Sequence, residues 1–200
     1  MTHSPWNKDR LVGQKRPLQI SHIWGIRIRL ELEGKTRDLA LFNLALDSKL
    51  RGCDLVKLKV SDITCGRSIL SRAHVVQQKT GTPVQFEITS GTRAAVADWI
   101  RKANLRSSDY LFKSRVLSSQ HISTRQYNRI FHGWISKLAL DDSLYSTHSM
   151  RRTKPYLIYK KTKNLRVIQL LLGHKKLEST VRYLGIEVDD ALEISESIEV

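Results

Sequence analysis

Leu170-Leu171-Leu172-Gly173-His174-Lys175-Lys176-Leu177-Glu178-Ser179-Thr180-Val181-Arg182-Tyr183 is the stretch on which the fold turns. Leu170 to Leu172 end an apolar helical run, Gly173 suits the left-handed position that closes a helix, and His174 therefore begins a new turn. From His174 to Tyr183 is 183 − 174 = 9 residues, room for a turn and a short helix that bring both side chains to one site. Tyr and His are often half-buried, so core filling by either one is the competing reading. A phenol with a pKa near ~10 is only about 0.1% ionised at neutral pH, so Tyr183 acts as a nucleophile only where its surroundings activate it.

Three further segments supply groups of the required kind. Arg51 follows Ala45-Leu46-Asp47-Ser48-Lys49-Leu50 and precedes Gly52-Cys53-Asp54-Leu55, at a helix junction; on local grounds alone an arginine there reads as a solvated charge. Lys79 opens the turn Lys79-Thr80-Gly81-Thr82, from which a flexible ammonium reaches into a groove beside the sheet, although most turn lysines do nothing of the kind. His148 and Arg151 stand at i and i+3 on one face of a helix that starts near Thr147. Two donors at a helix N-terminus suit an oxyanion, because the free N–H groups and the dipole add to the guanidinium's bidentate bonds. The plainer reading is a basic helix face on a basic protein.

The chain has 200 residues, 40% of them hydrophobic, enough for one domain with a real core. Lys and Arg number 34 against 19 Asp and Glu, a formal net charge of +15, which favours a polyanion and above all nucleic acid. Charge alone does not choose between DNA, RNA and anionic lipid. No apolar run approaches the ~18 residues of a membrane span, and Met1 to Gly13 is polar rather than signal-like, so a cytoplasmic protein is expected. The two cysteines, Cys53 and Cys65, form neither a disulfide framework nor a metal-ligand pattern.

Periodicity predicts a mainly α protein with a small antiparallel β-sheet. Residues 1–18 read as a flexible N-terminal arm, and residues 19–200 as the folded domain. Ile20, Ile23, Trp24 and Ile28 mark one helix, and Leu39, Phe42, Leu46 and Leu50 a second from Thr36. Leu55, Leu58 and Val60 suggest a short helix ending near Asp62. Val84-Gln85-Phe86-Glu87-Ile88 alternates as a half-buried strand does, with Ser68 to Gln77 as its partner. Helices are expected over Ser90 to Ala103, Ser123 to Leu138 and most of the chain from Thr147, with a terminal amphipathic, acidic helix at 189–198.

Taken in order, Arg51, Lys79, His148, Arg151, His174 and Tyr183 resemble the catalytic series of the tyrosine recombinase (phage integrase) family. Leu50-Arg51-Gly52-Cys53-Asp54-Leu55-Val56-Lys57-Leu58 is similar to its first arginine motif, and Leu171-Leu172-Gly173-His174 through Val181-Arg182-Tyr183 to its closing motif. The resemblance spans about residues 36 to 185 and implies a tyrosine recombinase catalytic-domain fold. It implies that Tyr183 attacks the scissile phosphate to form a 3′-phosphotyrosyl link, that Arg51, Arg151 and His174 hold the phosphate oxygens, that Lys79 protonates the 5′ oxygen and that His148 assists proton movement at the tyrosine. No metal or cofactor is implied, and the missing acidic cluster agrees, since two-metal nucleases hold their ions with carboxylates.

Arg152 stands where many members have a second histidine, and Arg182 adjoins the nucleophile; phosphate contacts are expected of both. Members usually carry an N-terminal helical domain that about thirty-five residues cannot supply. The expectation is thus a stand-alone catalytic domain, weak in DNA affinity or dependent on an accessory DNA-binding protein. The resemblance further implies a homo-oligomer on double-stranded DNA through the terminal helix. The competing functions are a type IB topoisomerase-like relaxation of DNA and a basic, non-catalytic DNA-binding regulator.

Overall fold

A computed structural model describes residues 14–116, 119–185, 192, 195 and 196. Its elements are α1 (Ile20–Leu32), α2 (Thr36–Ser48), α3 (Gly52–Leu55), β1 (Thr64–Cys65), β2 (Ser68–Ile69), β3 (Arg72–Val76), β4 (Pro83–Glu87), α4 (Ser90–Lys102), α5 (Thr124–Lys137), α6 (Thr147–Thr162), α7 (Leu165–Leu172) and α8 (Leu177–Leu184). The mainly helical class with small antiparallel sheets is as expected. α2 is the axis of the domain: every residue from Ala40 to Ser48 is buried, and α1, α4 and α6 pack around it. Such all-round burial explains why its sequence carries Asn43 and Asp47 without an obvious polar stripe.

The expected partner strand over 68–77 is two pieces. β2 pairs with β1 in a tight hairpin turned at Gly66, whose φ of 59° suits glycine, and β3 pairs separately with β4, Arg72 opposite Glu87 and Val76 opposite Pro83. Ala73, Val84 and Phe86 point into the core, while His74 and Gln85 face out. The short helix expected near Leu55 to Asp62 resolves into α3 and a 3₁₀ turn at Val60–Asp62. α1 forms where predicted, but its core face is Ile23, Ile26 and Leu30; Ile20, Trp24 and Ile28 are exposed. With isoleucines spaced around the helix, periodicity fixes the helix without fixing its buried side.

Two apolar clusters hold the domain. The large one runs from Leu18 to Met150, and a small one gathers Tyr159, Ile168, Leu172 and Leu184, with Tyr183 packed against it. The last residues of the expected arm, 14–18, form neither helix nor strand but are fastened to the body. Leu18 is buried and donates its N–H to Thr153 Oγ1 at 2.9 Å, and Arg16 N donates to the Leu144 carbonyl at 2.9 Å. The terminal helix expected at 189–198 lies outside the described residues, apart from positions 192, 195 and 196.

Candidate active site

The first arginine is delivered by the way α2 ends. Lys49, a non-glycine residue at φ 56°, turns the chain out of the helix, and its fully buried ammonium is tied to the Asp47 carbonyl and to Glu87 Oε2 at 2.8 Å. Lys154 from α6 bridges the same two acids, reaching Asp47 Oδ1 at 2.6 Å and Glu87 Oε1 at 2.5 Å. This ionic cluster joins α2, β4 and α6 beneath the site. Arg51 then caps α3 and donates to the Gln77 side-chain oxygen at the end of β3.

Lys79 lies beyond Gln77 in the turn to β4, exposed, with its charge near enough to His148 to disfavour that ring's protonation. The turn is closed by Gly81, which at φ 62° donates its N–H to the Gln77 carbonyl at 2.8 Å. Asp54 supports it from below, its buried carboxylate accepting the Gln78 N–H at 3.0 Å.

α6 supplies the second pair of donors. Ser146 caps it by accepting the His148 N–H at 3.2 Å, which places His148 in the first turn and Arg151 one turn on. Although His148 is exposed, desolvation by its surroundings comes first and Arg151, Arg51, Lys79 and Arg152 follow in lowering its pKa, so it stands neutral. Arg151 is buried and donates to the Leu172 carbonyl at 3.1 Å; burial opposes its charge most, yet a guanidinium stays protonated. Arg152 is turned to structural acceptors, donating to the Lys15 carbonyl at 2.9 Å and the Leu184 carbonyl at 3.4 Å.

α7 ends at Gly173, whose φ of 66° closes the helix as the sequence predicts, and a methyl group there would stand 2.5 Å from Val84 Cγ1. The backbone of His174 is stapled to Gln169 by two hydrogen bonds, and its Nδ1 lies 3.1 Å from the buried Thr180 hydroxyl. Burial first, then Arg151 and Arg51, bring the imidazole down to about 4, so it too is neutral. In the tautomer in which Thr180 donates to Nδ1, the ring's one proton sits on Nε2, ready to be given to an anion.

Tyr183 packs edge-on to His174, ring centroids 5.4 Å apart, with the guanidinium carbons of Arg151 and Arg152 at 5.8 and 5.6 Å from its ring. Its hydroxyl is buried without a hydrogen-bond partner among the described residues, and burial pushes the phenol up to about 12 against the pull of Arg151, Arg152 and Arg51. A concavity of about 380 Å³ opens beside it, lined by Gln14, His148, Arg152, Ser179 and Arg182 among others. The side chain of Arg182 is exposed on its rim.

The structure therefore gathers Arg51, His148, Arg151, His174 and Tyr183, and leaves Lys79 on an exposed turn beside them. Asp54, Gln77 and Thr180 take part and escaped the sequence reading. A signal for Gln77 was present: it continues the inward-facing positions Ala73 and Val75, where an apolar residue is expected. Three of the four buried polar side-chain atoms without a partner among the described residues, Asp54 Oδ2, Arg151 Nε and Tyr183 Oη, lie here. Unsatisfied groups are costly to bury, and their concentration marks a site awaiting a polar ligand.

A mostly helical domain that sets two arginines and two histidines around a tyrosine defines the tyrosine recombinase catalytic fold. The phage integrase family model matches residues 26–188, and the chain belongs to that family. Over 160 residues it is 28% identical to the probable integrase/recombinase YoeC of Bacillus subtilis (strain 168), covering 79% of this chain and 82% of that protein. In structure it is similar to XerA recombinase, with a TM-score of 0.73 at 18% identity over 98% of this chain and 66% of that one. It is also similar to XerH site-specific recombinase bound to palindromic difH substrate in a post-cleavage complex, with a TM-score of 0.71 at 17% identity over 93% of this chain and 54% of that one. The chain spans about half the length of the tyrosine recombinases XerC that it matches.

Proposed function

We propose that this domain breaks and rejoins double-stranded DNA at specific sites through a 3′-phosphotyrosyl intermediate on Tyr183. The observation that carries the reading is the convergence of Arg51, Arg151 and His174, all donors, around a tyrosine whose own hydroxyl lacks a partner among the described residues. Tyr183 Oη bonds to phosphorus as the 5′ oxygen leaves, so one ester replaces another and bond energy is kept without ATP. Neutral His148 accepts the phenolic proton, and Lys79 gives one to the departing 5′ oxygen. Arg51, Arg151 and the Nε2–H of His174 hold the non-bridging oxygens, where charge builds in the transition state. Arg182, and Arg152 to the extent that its carbonyl contacts loosen, add phosphate contacts at the rim.

The buried phenol implies that DNA binding moves α8 before attack, and the four-residue apolar cluster beneath it is small enough to yield. The +15 charge supports DNA as the partner, and the XerH structure named above holds its difH substrate. An oligomer on DNA, an accessory DNA-binding protein and a cytoplasmic setting at the nucleoid complete the reading.

The test uses nicked DNA carrying a candidate recombination site, with wild type and Tyr183→Phe compared on a denaturing gel. A covalent protein–DNA band with wild type alone supports the tyrosine mechanism. Tight binding to every candidate site with no band, even with host extract added, sinks it in favour of a DNA-binding regulator.

A further inference from the structure

We infer that Gln77 is a positioning residue that holds Arg51, Arg151 and the His174 turn in register through neutral bonds, so that the charge of both arginines stays free for a phosphate. The inference deepens the strand-cleavage reading and rests on it.

Gln77 is 1% exposed, at the end of β3, and its amide uses three hydrogen bonds. Oε1 accepts from Arg51 and, at 3.1 Å, from Thr80 Oγ1; Nε2 donates to the Leu172 carbonyl at 3.3 Å. The amide's orientation follows from its partners, because a guanidinium only donates and a carbonyl only accepts. The Leu172 carbonyl also receives Arg151 at 3.1 Å. One neutral chain, Arg51 to Gln77 to Leu172 to Arg151, thereby ties the two arginines to each other, to the turn that carries Lys79 and to the residue before Gly173 and His174.

The neutrality of that chain is the functional part. Beneath the site, Lys49 and Lys154 are held by the carboxylates of Asp47 and Glu87, whereas Arg152, like Arg51 and Arg151, donates to neutral acceptors. Arg51 and Arg151 repel one another and the buried Asp54 carboxylate attracts Arg151 without a hydrogen bond to it, while the hydrogen bonds that fix the two arginines run to an amide and a carbonyl. An ion pair would fix Arg51 as well, but it would cancel the charge the phosphate needs, since a carboxylate at bonding distance competes directly with the ligand. A carboxylate at 77 would also set an oxygen against the Leu172 carbonyl, where Nε2 now donates.

The deciding experiment uses the full chain and tungstate, a tetrahedral dianion that reads the phosphate position without any chemistry. Binding is measured by isothermal titration at fixed ionic strength, with the Arg51→Gln, Arg151→Gln double variant subtracted for sites elsewhere on this basic protein. Gln77→Glu is expected to weaken tungstate at least 10-fold, about 1.4 kcal/mol. Gln77→Leu, which removes the bonds and adds no charge, is expected to weaken it less, while slowing covalent adduct formation on nicked DNA about 10-fold with the melting temperature within a few degrees of wild type. Tungstate binding equal to wild type in Gln77→Glu overturns the inference, as does no subtractable binding by wild type. Should Gln77→Glu fail to fold, wild-type tungstate affinity and adduct rate in Gln77→Leu overturn it alone. Loss of tungstate in Gln77→Glu, in a protein that forms no adduct on any DNA, would leave the positioning role standing and defeat the strand-cleavage reading instead.

Discussion

The ring of Tyr183 stands edge-on to the imidazole of His174, 5.4 Å away at 80°, while its hydroxyl is buried without a hydrogen-bond partner among the described residues. Three arginines pull its proton away, yet burial outweighs them and the phenol is less acidic than free tyrosine. The proposed nucleophile is placed beside its donors but is not primed. Leaving a buried hydroxyl unsatisfied costs free energy, so Tyr183→Phe should stabilise the DNA-free protein by about 1 kcal/mol. A thermal melt should rise by about 2–4 °C for a domain of this size. A lower melting temperature would mean that the hydroxyl has a stabilising partner in solution.

His174 sets a pH dependence of definite sign. Its folded pKa of about 4 lies below the ordinary 6.5, so between those values the unfolded chain holds more protons than the folded one. Stability is therefore fully present above pH 6.5 and is lost as pH falls towards 4. His148, lowered by the same surroundings, adds to the slope. The part due to His174 should be on the order of 1 kcal/mol after allowance for solvent screening of a half-exposed ring. From pH 7 through 5.5 to 4.5 the urea midpoint of wild type should fall more than that of His174→Gln; parallel curves would remove the argument.

The helices and the family resemblance were legible because both are written locally. Gly173 announces the end of α7, Ser146 and Ser123 cap α6 and α5, and the strand at Val84 alternates visibly. What could not be read depends on contacts distant in sequence. Lys49 and Lys154 gain their meaning from Asp47 and Glu87, brought together only by the packing of α2, β4 and α6. Nor does the sequence around Arg152 announce its acceptors in the DNA-free fold, the carbonyls of Lys15 and Leu184, 137 and 32 residues away. α1 offered apolar residues on two faces, and only the docking of α2 chose Ile23, Ile26 and Leu30.

The ionic cluster beneath the site should be fragile in one specific way. Among the described residues, Glu87 is the one carboxylate that pairs with Lys49 and one of two that pair with Lys154. Glu87→Gln would leave the Lys49 ammonium buried with uncharged acceptors, and breaking a buried pair from one side costs about 3 kcal/mol. Urea denaturation should show a loss of about that size. Glu87→Gln with Lys49→Met should recover part of it, and a Glu87→Gln protein as stable as wild type would show that Lys49 is not held by charge.

Thr180 should act through His174. Thr180→Val keeps the volume and removes the hydroxyl hydrogen-bonded to Nδ1, freeing the ring to change tautomer and orientation. Covalent adduct formation should slow about 10-fold, the worth of roughly one hydrogen bond, whereas Thr180→Ser should retain most of the rate. Equal losses in both variants would assign Thr180 to packing alone.

Gly173 is required twice over, by its backbone and by its neighbour. At φ 66° a side chain costs about 1 kcal/mol, and a methyl group would stand 2.5 Å from Val84 Cγ1, an overlap relieved only by shifting β4 or α7 at a further cost of about 1–3 kcal/mol. Because the Leu172 carbonyl anchors both Arg151 and Gln77, that shift would move the arginines together with His174. Gly173→Ala should therefore lose adduct formation more completely than stability. Val84→Ala in the Gly173→Ala background clears the overlap but not the backbone strain, so the pair should show a favourable coupling of about 1–2 kcal/mol in urea denaturation, with part of the adduct rate restored. Additive losses would show that the two residues do not meet, and that the close approach of α7 to β4 does not hold the site together.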